Sequence, residues 1–386
     1  MALLSSGDWH CGGMGMSGQS TVIRDFEKRD IESVARMFQR TFRGKSADKE
    51  KVSPSLVASL EQSFFGHPWQ DAGLNSKVAT DDAGRVLGFI GVIPARLQVG
   101  ERSVLAAFAG SMMVEDPKAN PLIGARLLRA FLSGPQDISL TETANATALG
   151  MWQKLGHALD PAYSLNWVRV LRPVSTAVHL LEHRLRLAYL LRPFGRIADR
   201  LISVVRRPSF GNGEGRKLEF RDVTREEFGK AALVLKDVYA MHPDWDERSL
   251  GWFLEQSEQK RSFGYPEWRV AYGPDSKPAA AYVYFAKVGG IGWVLQALSQ
   301  PARADEMVED LFAHAYHYGC ASVRGAAHPW LTPALLQRKA AFLGRSFYVA
   351  HAKDKTLLEP IKSGQALISG IAGERWMPLV GDTFDD

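Results

Sequence analysis

The residues from Asn120 to Gly124 have types and spacing that suit chemistry on an anion. Asn120 suits a helix N-cap, and Pro121 suits the first helical position, where no N–H is needed. A helix opening there presents the free amides of Leu122, Ile123 and Gly124. Gly124 has no side chain, so a ligand can approach the backbone closely. Such a terminus binds phosphate through amide donors and the helix dipole. Lys118, Arg126 and Arg129 add positive charge nearby. The alternative reading of these residues is an ordinary capped helix packed on a sheet.

The neighbouring elements must hold this terminus in place. Residues 106–114 form a small-and-apolar run, long enough for one buried strand, which Glu115-Asp116-Pro117 breaks. Leu127, Leu128, Phe131 and Leu132 repeat at helical spacing until Gly134-Pro135. Residues 138–143 read as a second strand. Asn145 opens a second helix, with Leu149, Trp152 and Leu155 on one face and Gly156 closing it. Upstream lie a strand (21–26), a helix marked by Ile31, Val34, Phe38 and Phe42, and a second helix (55–65) ended by Gly66-His67-Pro68-Trp69. A strand from Lys77 turns at 81–84 and returns at 86–92; residues 96–108 extend the meander. His67 and His242 each precede a proline and read as turn residues, and no metal site is expected.

At 386 residues the natural expectation is two domains. Hydrophobic content of 46% with 23% charged residues describes a soluble globular chain. No apolar run reaches the roughly 18 residues of a membrane span. Residues 1–20 carry no signal core and read as a flexible tail, or as sequence upstream of a start at Met14 or Met16. The two cysteines, Cys11 and Cys320, sit in unrelated contexts, which argues for a reducing cytoplasm. The net charge of +5 is unevenly placed. Residues 172–217 hold ten Lys/Arg against three Asp/Glu, a net +7, so the rest of the chain sums to −2. No DNA-binding surface is expected of the whole protein.

That basic connector carries two helical stripes. Val174, Val178, Leu181, Leu185 and Ala188 form the first; after Arg192-Pro193, Phe194, Ile197, Leu201 and Val204 are expected to face inward, with Arg192, Arg196 and Arg200 on another face. A membrane surface or an acidic ligand would suit such a pair. The favoured expectation is a connector packed between two domains. Residues 209–215 follow as a flexible linker.

The second half then repeats the first. Arg24-Asp25-Phe26 is echoed by Arg221-Asp222-Val223, Ser55-Leu56 by Ser249-Leu250, Lys77-Val78-Ala79 by Arg269-Val270-Ala271, and Pro117 by Pro301. The offset drifts smoothly from 197 to 184. Four matches in one order predict two similarly folded domains. In the second copy Asp305 and Glu306 stand where the open turn was, and would repel phosphate there.

The order of elements, with helices opening at Asn120 and Asn145, resembles the GNAT acyl-CoA N-acyltransferase family, and more closely its tandem-domain members. The resemblance spans residues 21–172 clearly and 217–352 weakly. It implies an α/β (α+β) fold of two GNAT-like domains, each a mixed, mostly antiparallel central sheet flanked by helices. The expected organisation is a tail (1–20), a domain with the acyl-CoA site (21–172), a helical connector (173–216), a degenerate second domain (217–352) and a C-terminal hairpin (353–386). The family's pyrophosphate loop falls on residues 119–124. Gly124 matches, but Ala119 replaces the family's Gln/Arg and Leu122 its first glycine. Ile123, Ala125 and Asn120 complete the expected cradle. In the following helix Asn145, Ala148, Lys154 and Gly156 match, while Trp152 replaces the tyrosine that usually protonates the departing thiolate. An indole N–H cannot do that. The strand after the cofactor loop often splays from its neighbour in this family, leaving a backbone N–H that can polarise the thioester carbonyl, and Met113 and Val114 are expected there.

The resemblance implies acetyl-CoA, or another acyl-CoA, as donor and a small-molecule or sugar amine as acceptor, with catalysis largely by positioning. Glu142 is the expected base, with Glu115 and Asp116 behind it; its alternative is a sheet carboxylate paired with an arginine. His157 and Tyr163 are the substitutes for the missing acid. Two other functions stay open: an inactive acyl-CoA-binding or regulatory protein, and a FemX-like aminoacyl-tRNA-dependent transferase whose connector touches RNA. A homodimer is also open.

Overall fold

The computed structural model describes residues 21–42, 51–155, 159–182, 185, 190–205, 218–344 and 346–384. The first half runs β1 (Val22–Asp25), α1 (Ile31–Phe42), α2 (Pro54–Phe65), β2 (Lys77–Thr80), β3 (Val86–Val99), β4 (Arg102–Val114), α3 (Ile123–Leu132), β5 (Ile138–Ala144), α4 (Ala146–Lys154), β6 (Leu159–Asp160) and β7 (Leu165–Val170). Helices α5 (Pro173–Glu182) and α6 (Arg192–Val205) connect the halves. The second half runs β8 (Phe220–Asp222), α7 (Arg225–Leu235), β9 (Met241–Pro243), α8 (Glu247–Glu258), β10 (Tyr265–Tyr272), β11 (Pro278–Ala286), β12 (Ile291–Ser299), α9 (Ala304–Tyr318), β13 (Ser322–Ala326), α10 (Thr332–Gln337), β14 (Ala341–Gly344) and β15 (Phe347–Ala352), and α11 (Glu359–Lys362) follows.

Local signals set these elements. Ser53 accepts the Leu56 amide and Pro54 opens α2, while Thr224 and Glu227 cap α7 reciprocally. The halves build matching sheets. The first has the order β1-β2-β3-β4-β5-β15-β6, with β9 added to β3; the second is β8-β10-β11-β12-β13-β7-β14. In each, one parallel pair (β4–β5, β12–β13) sits among antiparallel ones. The sequence echoes fall on equivalent strands. Asp25 lies opposite Lys77 and pairs with it; Asp222 lies opposite Arg269 and pairs with it at 3.5 Å.

The sixth strand of each sheet comes from the other half. β7 lies between β13 and β14, and β15 lies between β5 and β6. Both inserted strands are apolar inward: Trp167, Tyr348 and Val349 are buried. The largest core cluster accordingly joins α1 and α2 to α7 and α8, with Phe38, Phe89, Phe253 and Trp376 among its members.

The expected C-terminal hairpin is absent among the described residues. Beyond β15 the chain forms short helical turns and irregular segments. Pro360, Pro378 and left-handed Gly364 and Gly370 oppose a regular ladder. Side chains satisfy its backbone instead: the buried Lys260 ammonium donates to the carbonyls of Met377 (2.7 Å) and Val380 (2.6 Å). Trp376 and Met377 are buried.

The connector differs more sharply. Phe194, Ile197 and Leu201 are 70%, 60% and 65% exposed, so the stripe expected to face inward faces out. The reason is local. Asp199 accepts the amides of Val174 (2.9 Å) and Ser175 (2.8 Å) at the start of α5. Gly195 sits over Ser175 and Val178. These small and polar contacts turn the large side chains away. Val204's side chain lies outside the described residues.

Candidate functional site

β4 and β5 pair only at Ala106–Ile138, Ala107–Ser139 and Phe108–Leu140, and then diverge. A bulge in β4 falls at the same place: between the Phe89–Met113 and Gly91–Gly110 pairs, Ser111 and Met112 face the single residue Ile90. Ser111 has φ of +51°. The diverging strands enclose a cavity of about 220 Å³, which Ser111 and Met112 line from β4, and Thr141 and Thr143 from β5. Trp152 and Ala148 of α4, Phe38 of α1, and Leu379 close it. Met113 and Val114 resume pairing with β3, so only their β5 side is open.

Helix α3 starts beyond the divergence. Its N-cap is Leu122, 70% exposed, and no side chain caps it. The helix therefore opens two residues later than the Asn120-Pro121 signal predicts. Asn120 instead closes the loop backwards, its Nδ2 donating to the Glu115 carbonyl at 2.9 Å. The Ile123 amide makes a long 3.4 Å bond to the Asn120 carbonyl, and Ala119 donates to Asp116 Oδ1 at 3.2 Å. Among the described residues the amides of Leu122, Gly124 and Ala125 meet no acceptor. An open first turn is thus present, with Ala125 in place of Ile123 among its free amides. Gly124 is buried, and a Cβ there would lie 3.1 Å from Met151 Sδ and 3.6 Å from Val114 Cγ2.

Asn145 caps α4 as expected, its side chain accepting the Ala148 amide at 2.9 Å, and it lines the cavity. Trp152 is buried in the cavity wall, edge-on to Phe131. A second cleft of about 860 Å³ adjoins the end of β4. Residues 114–117 form one wall; Arg24, Arg29, Arg36, Arg40 and Arg85 form much of the rest. Arg24 pairs with Asp30 at 2.6 Å and Arg40 with Glu115 at 3.1 Å. The arginines are scattered over 62 residues of sequence, so no local pattern announces this cleft.

The expected acid–base residues are placed otherwise. Glu142 is buried and fully engaged. Ser369 Oγ and Arg375 Nε donate to its Oε1, and the Glu374 amide to its Oε2 at 3.1 Å. It is the arginine-paired sheet carboxylate, and a base needs a free lone pair. Tyr163 is buried, and its hydroxyl is held by the backbone of Ala366, donating to the carbonyl at 3.1 Å and accepting the amide at 3.2 Å. It does not line the cavity. His157 lies outside the described residues. Glu115 is engaged by Arg40.

A carboxylate that the sequence did not single out lies closer. Glu374 Oε1 accepts the Glu142 amide, the Thr143 amide and Thr143 Oγ, all at 2.8 Å. Its buried Oε2 has no hydrogen-bond partner and lies 2.7 Å from where a Cβ on Gly110 would be. Burial, reinforced by the Glu142 carboxylate, pushes the Glu374 carboxyl up to about 7. Thr143 therefore links this carboxyl to the cavity it lines. Only the position of residue 374, some 230 residues from β5, hid it from sequence reasoning.

The equivalent place in the second half is filled. β12 loses β13 after Val294, and Gln296 Oε1 there accepts the Ile371 amide at 2.8 Å. Gly370, at φ +77°, brings its backbone so near that a Cβ would sit 2.2 Å from the Leu295 carbonyl oxygen. At the start of α9, Asp305 pairs with Arg338 and Glu306 accepts the Leu218 amide at 2.5 Å. Among the described residues no cluster of His, Cys, Asp and Glu could hold a metal.

No protein-family model matches the sequence, and no curated protein does. Solved structures match in fold. A conserved protein of unknown function from Enterococcus faecalis V583, described as a probable N-acyltransferase, aligns over 89% of this chain and 75% of that one, with TM-score 0.55 and 9% identity. A GCN5-related N-acetyltransferase from Kribbella flavida aligns over 88% and 72%, with TM-score 0.52 and 13% identity. At these identities the likeness establishes the fold. It is the GNAT fold, as two GNAT-like domains within one chain.

Proposed function

We propose that this chain is an acyl-CoA-dependent N-acyltransferase, moving an acyl group, acetyl in the first instance, to a primary amine of a small molecule or sugar. One observation carries the reading. In one half of the molecule the strand that diverges to enclose a cavity is followed by an uncapped helix terminus, while the matching place in the other half is plugged.

The residues present fit acyl-CoA. The amides of Leu122, Gly124 and Ala125, at the uncapped terminus, would hold its diphosphate. The adjoining cleft holds five arginines, each ion-paired with a nearby carboxylate, so it adds little net attraction of its own. When bound, the group supplies an activated thioester carbonyl. Ser111 and Met112, on the open edge of β4, orient it in the cavity. Thr143 Oγ takes the proton shed by the attacking amine while its own proton passes to Glu374 Oε1. A carboxyl poised near neutrality suits that exchange.

Trp152 favours a second reading, binding without turnover, because it supplies no acid for the thiolate. Calorimetry with acetyl-CoA, followed by thiol release over a panel of amines, separates the two. Saturable binding with thiol release supports transfer; binding without release supports the second reading. No binding overturns both.

A further inference from the structure

We propose that the α5–α6 connector docks the protein on a membrane surface rich in anionic lipid headgroups. Between residues 180 and 201, eight large apolar side chains are exposed. Leu180, Leu181, Leu185, Leu190 and Leu191 lie around the junction, and Phe194, Ile197 and Leu201 continue along α6. Exposed apolar side chains in this number, within 22 residues of a folded protein, mark a contact surface.

The geometry fixes which way that face points. Asp199 is 5% exposed and holds the first amides of α5, while Gly195 packs on Ser175 and Val178. Residues 195 and 199 therefore form the inner edge of α6, which leaves 194, 197 and 201 on the outer one. Rotating the helix to bury them would break both Asp199 bonds. Arg192 and Glu182 close the junction with a two-pronged ion pair, at 2.6 and 2.7 Å.

Charge selects the occupant. The segment 172–217 carries a net +7. A helix with an apolar outer edge inside a strongly basic segment suits the interface of an anionic bilayer, with apolar side chains at the acyl boundary and cations among the headgroups. A second copy would bring two such segments together and meet like-charge repulsion. A nucleic acid would use the charge and leave the leucines and Phe194 without a partner. No helix among the described residues is long and apolar enough to cross a membrane, so this contact is peripheral.

Co-sedimentation of the full chain with phosphatidylglycerol-containing vesicles tests the proposal, against phosphatidylcholine alone. The expected result is binding to the anionic vesicles only, weakened by about 0.5 M NaCl. The combined variant Phe194→Ser, Ile197→Ser and Leu201→Ser should lower the partition coefficient by more than about tenfold with an unchanged thermal midpoint. Tyr265→Ser, at a position 76% exposed on β10, should change nothing. Equal binding to neutral and anionic vesicles overturns the choice of lipid. Unchanged binding of the triple variant overturns the choice of face. A chain that ignores vesicles but forms a dimer, lost in the triple variant, assigns the face to a second copy instead.

Discussion

Glu374 takes the backbone N–H groups of Glu142 and Thr143, each at 2.8 Å, at the point where β5 has parted from β4. A side chain from the end of the molecule thus does for β5 what a neighbouring strand does elsewhere in the sheet. The same segment meets the second half the other way round, its Ile371 and Ala372 amides donating to the Gln296 side chain of β12. Residues 369–375 are therefore a shared wall between two diverging strand pairs. Arg375 completes it by joining Glu142 to Asn166 of the inserted strand β7.

The buried Glu374 carboxyl, with the Glu142 carboxylate beside it, gives stability a definite pH dependence. The folded state holds the Glu374 proton up to about pH 7, whereas an unfolded chain releases it near its ordinary value of 4.5. Between these values the folded state binds more protons, so stability falls as pH rises through the window. The loss is on the order of 3 kcal/mol once pH exceeds both values. Glu374→Gln keeps an oxygen for the three donors and cannot ionise. Its unfolding free energy should lack this slope and exceed that of the wild type at pH 8. Chemical denaturation at pH 5 and pH 8 checks it; parallel curves would show that Glu374 stays charged throughout.

If Glu374 also holds the amine's proton, Thr143 is the point of contact. Thr143→Val removes the hydroxyl and keeps the shape, so turnover should fall by roughly 10²-fold with the acyl-CoA affinity unchanged. Steady-state kinetics with separate calorimetry would detect this. A matched loss in binding and turnover points to a role in shape alone.

Gly124→Glu tests the open helix turn. The new side chain would start 3.1 Å from the mobile end of Met151, and a carboxylate is welcome in a first helical turn. The fold should survive, with its thermal midpoint lowered by several degrees as Met151 is displaced. The carboxylate would occupy the amides that a diphosphate needs, so acetyl-CoA binding should disappear from calorimetry. Unchanged affinity would place the cofactor elsewhere.

The parts of this architecture written in local sequence were readable. Asn145 followed by an apolar face predicts α4 and its cap, and the Arg-Asp echo at residues 24–25 and 221–222 marks equivalent edge strands. What depended on distant partners was not. Nothing within residues 165–170 says that they pair with β13, and nothing near Glu142 foretells Arg375. The α6 stripe misled for another reason. Hydrophobic periodicity shows that one face differs from the other, and Asp199 and Gly195, not the large residues, decide which face packs.

His67 gives stability an acid limb of opposite sign. Its ring lies among Trp69, Trp252, Phe253 and Trp376, and its Nδ1 accepts the Trp69 amide at 3.1 Å. Burial pushes its pKa down to about 3, from 6.5 when exposed. Between these values the unfolded chain binds the extra proton, so stability is complete above pH 6.5 and is lost as pH falls towards 3. The loss approaches the order of 4 kcal/mol at pH 3. His67→Gln retains an acceptor and does not titrate, so its midpoint for acid unfolding should be lower. Acid titration followed by tryptophan fluorescence reads this directly, and coincident midpoints would remove His67 from the acid limb.

The exchanged strands make the halves dependent on each other. Without β15, the first sheet ends at β5, a largely buried strand whose edge is then unpaired; without β7, the second ends at β13 and loses the buried Trp167, whose Nε1 donates to the Ala326 carbonyl at 3.0 Å. Each half alone thus exposes a strand edge built to be covered. Expressed separately, fragments 1–216 and 217–386 should be insoluble or melt without cooperativity. Expressed together, they should co-purify as a one-to-one complex, because both missing strands are then supplied, each from the partner fragment. Loss of Arg375 should weaken that complex, since its guanidinium joins β5 of one half to β7 in the other sheet. A soluble first fragment with a cooperative melt of its own would show that the first sheet does not need β15.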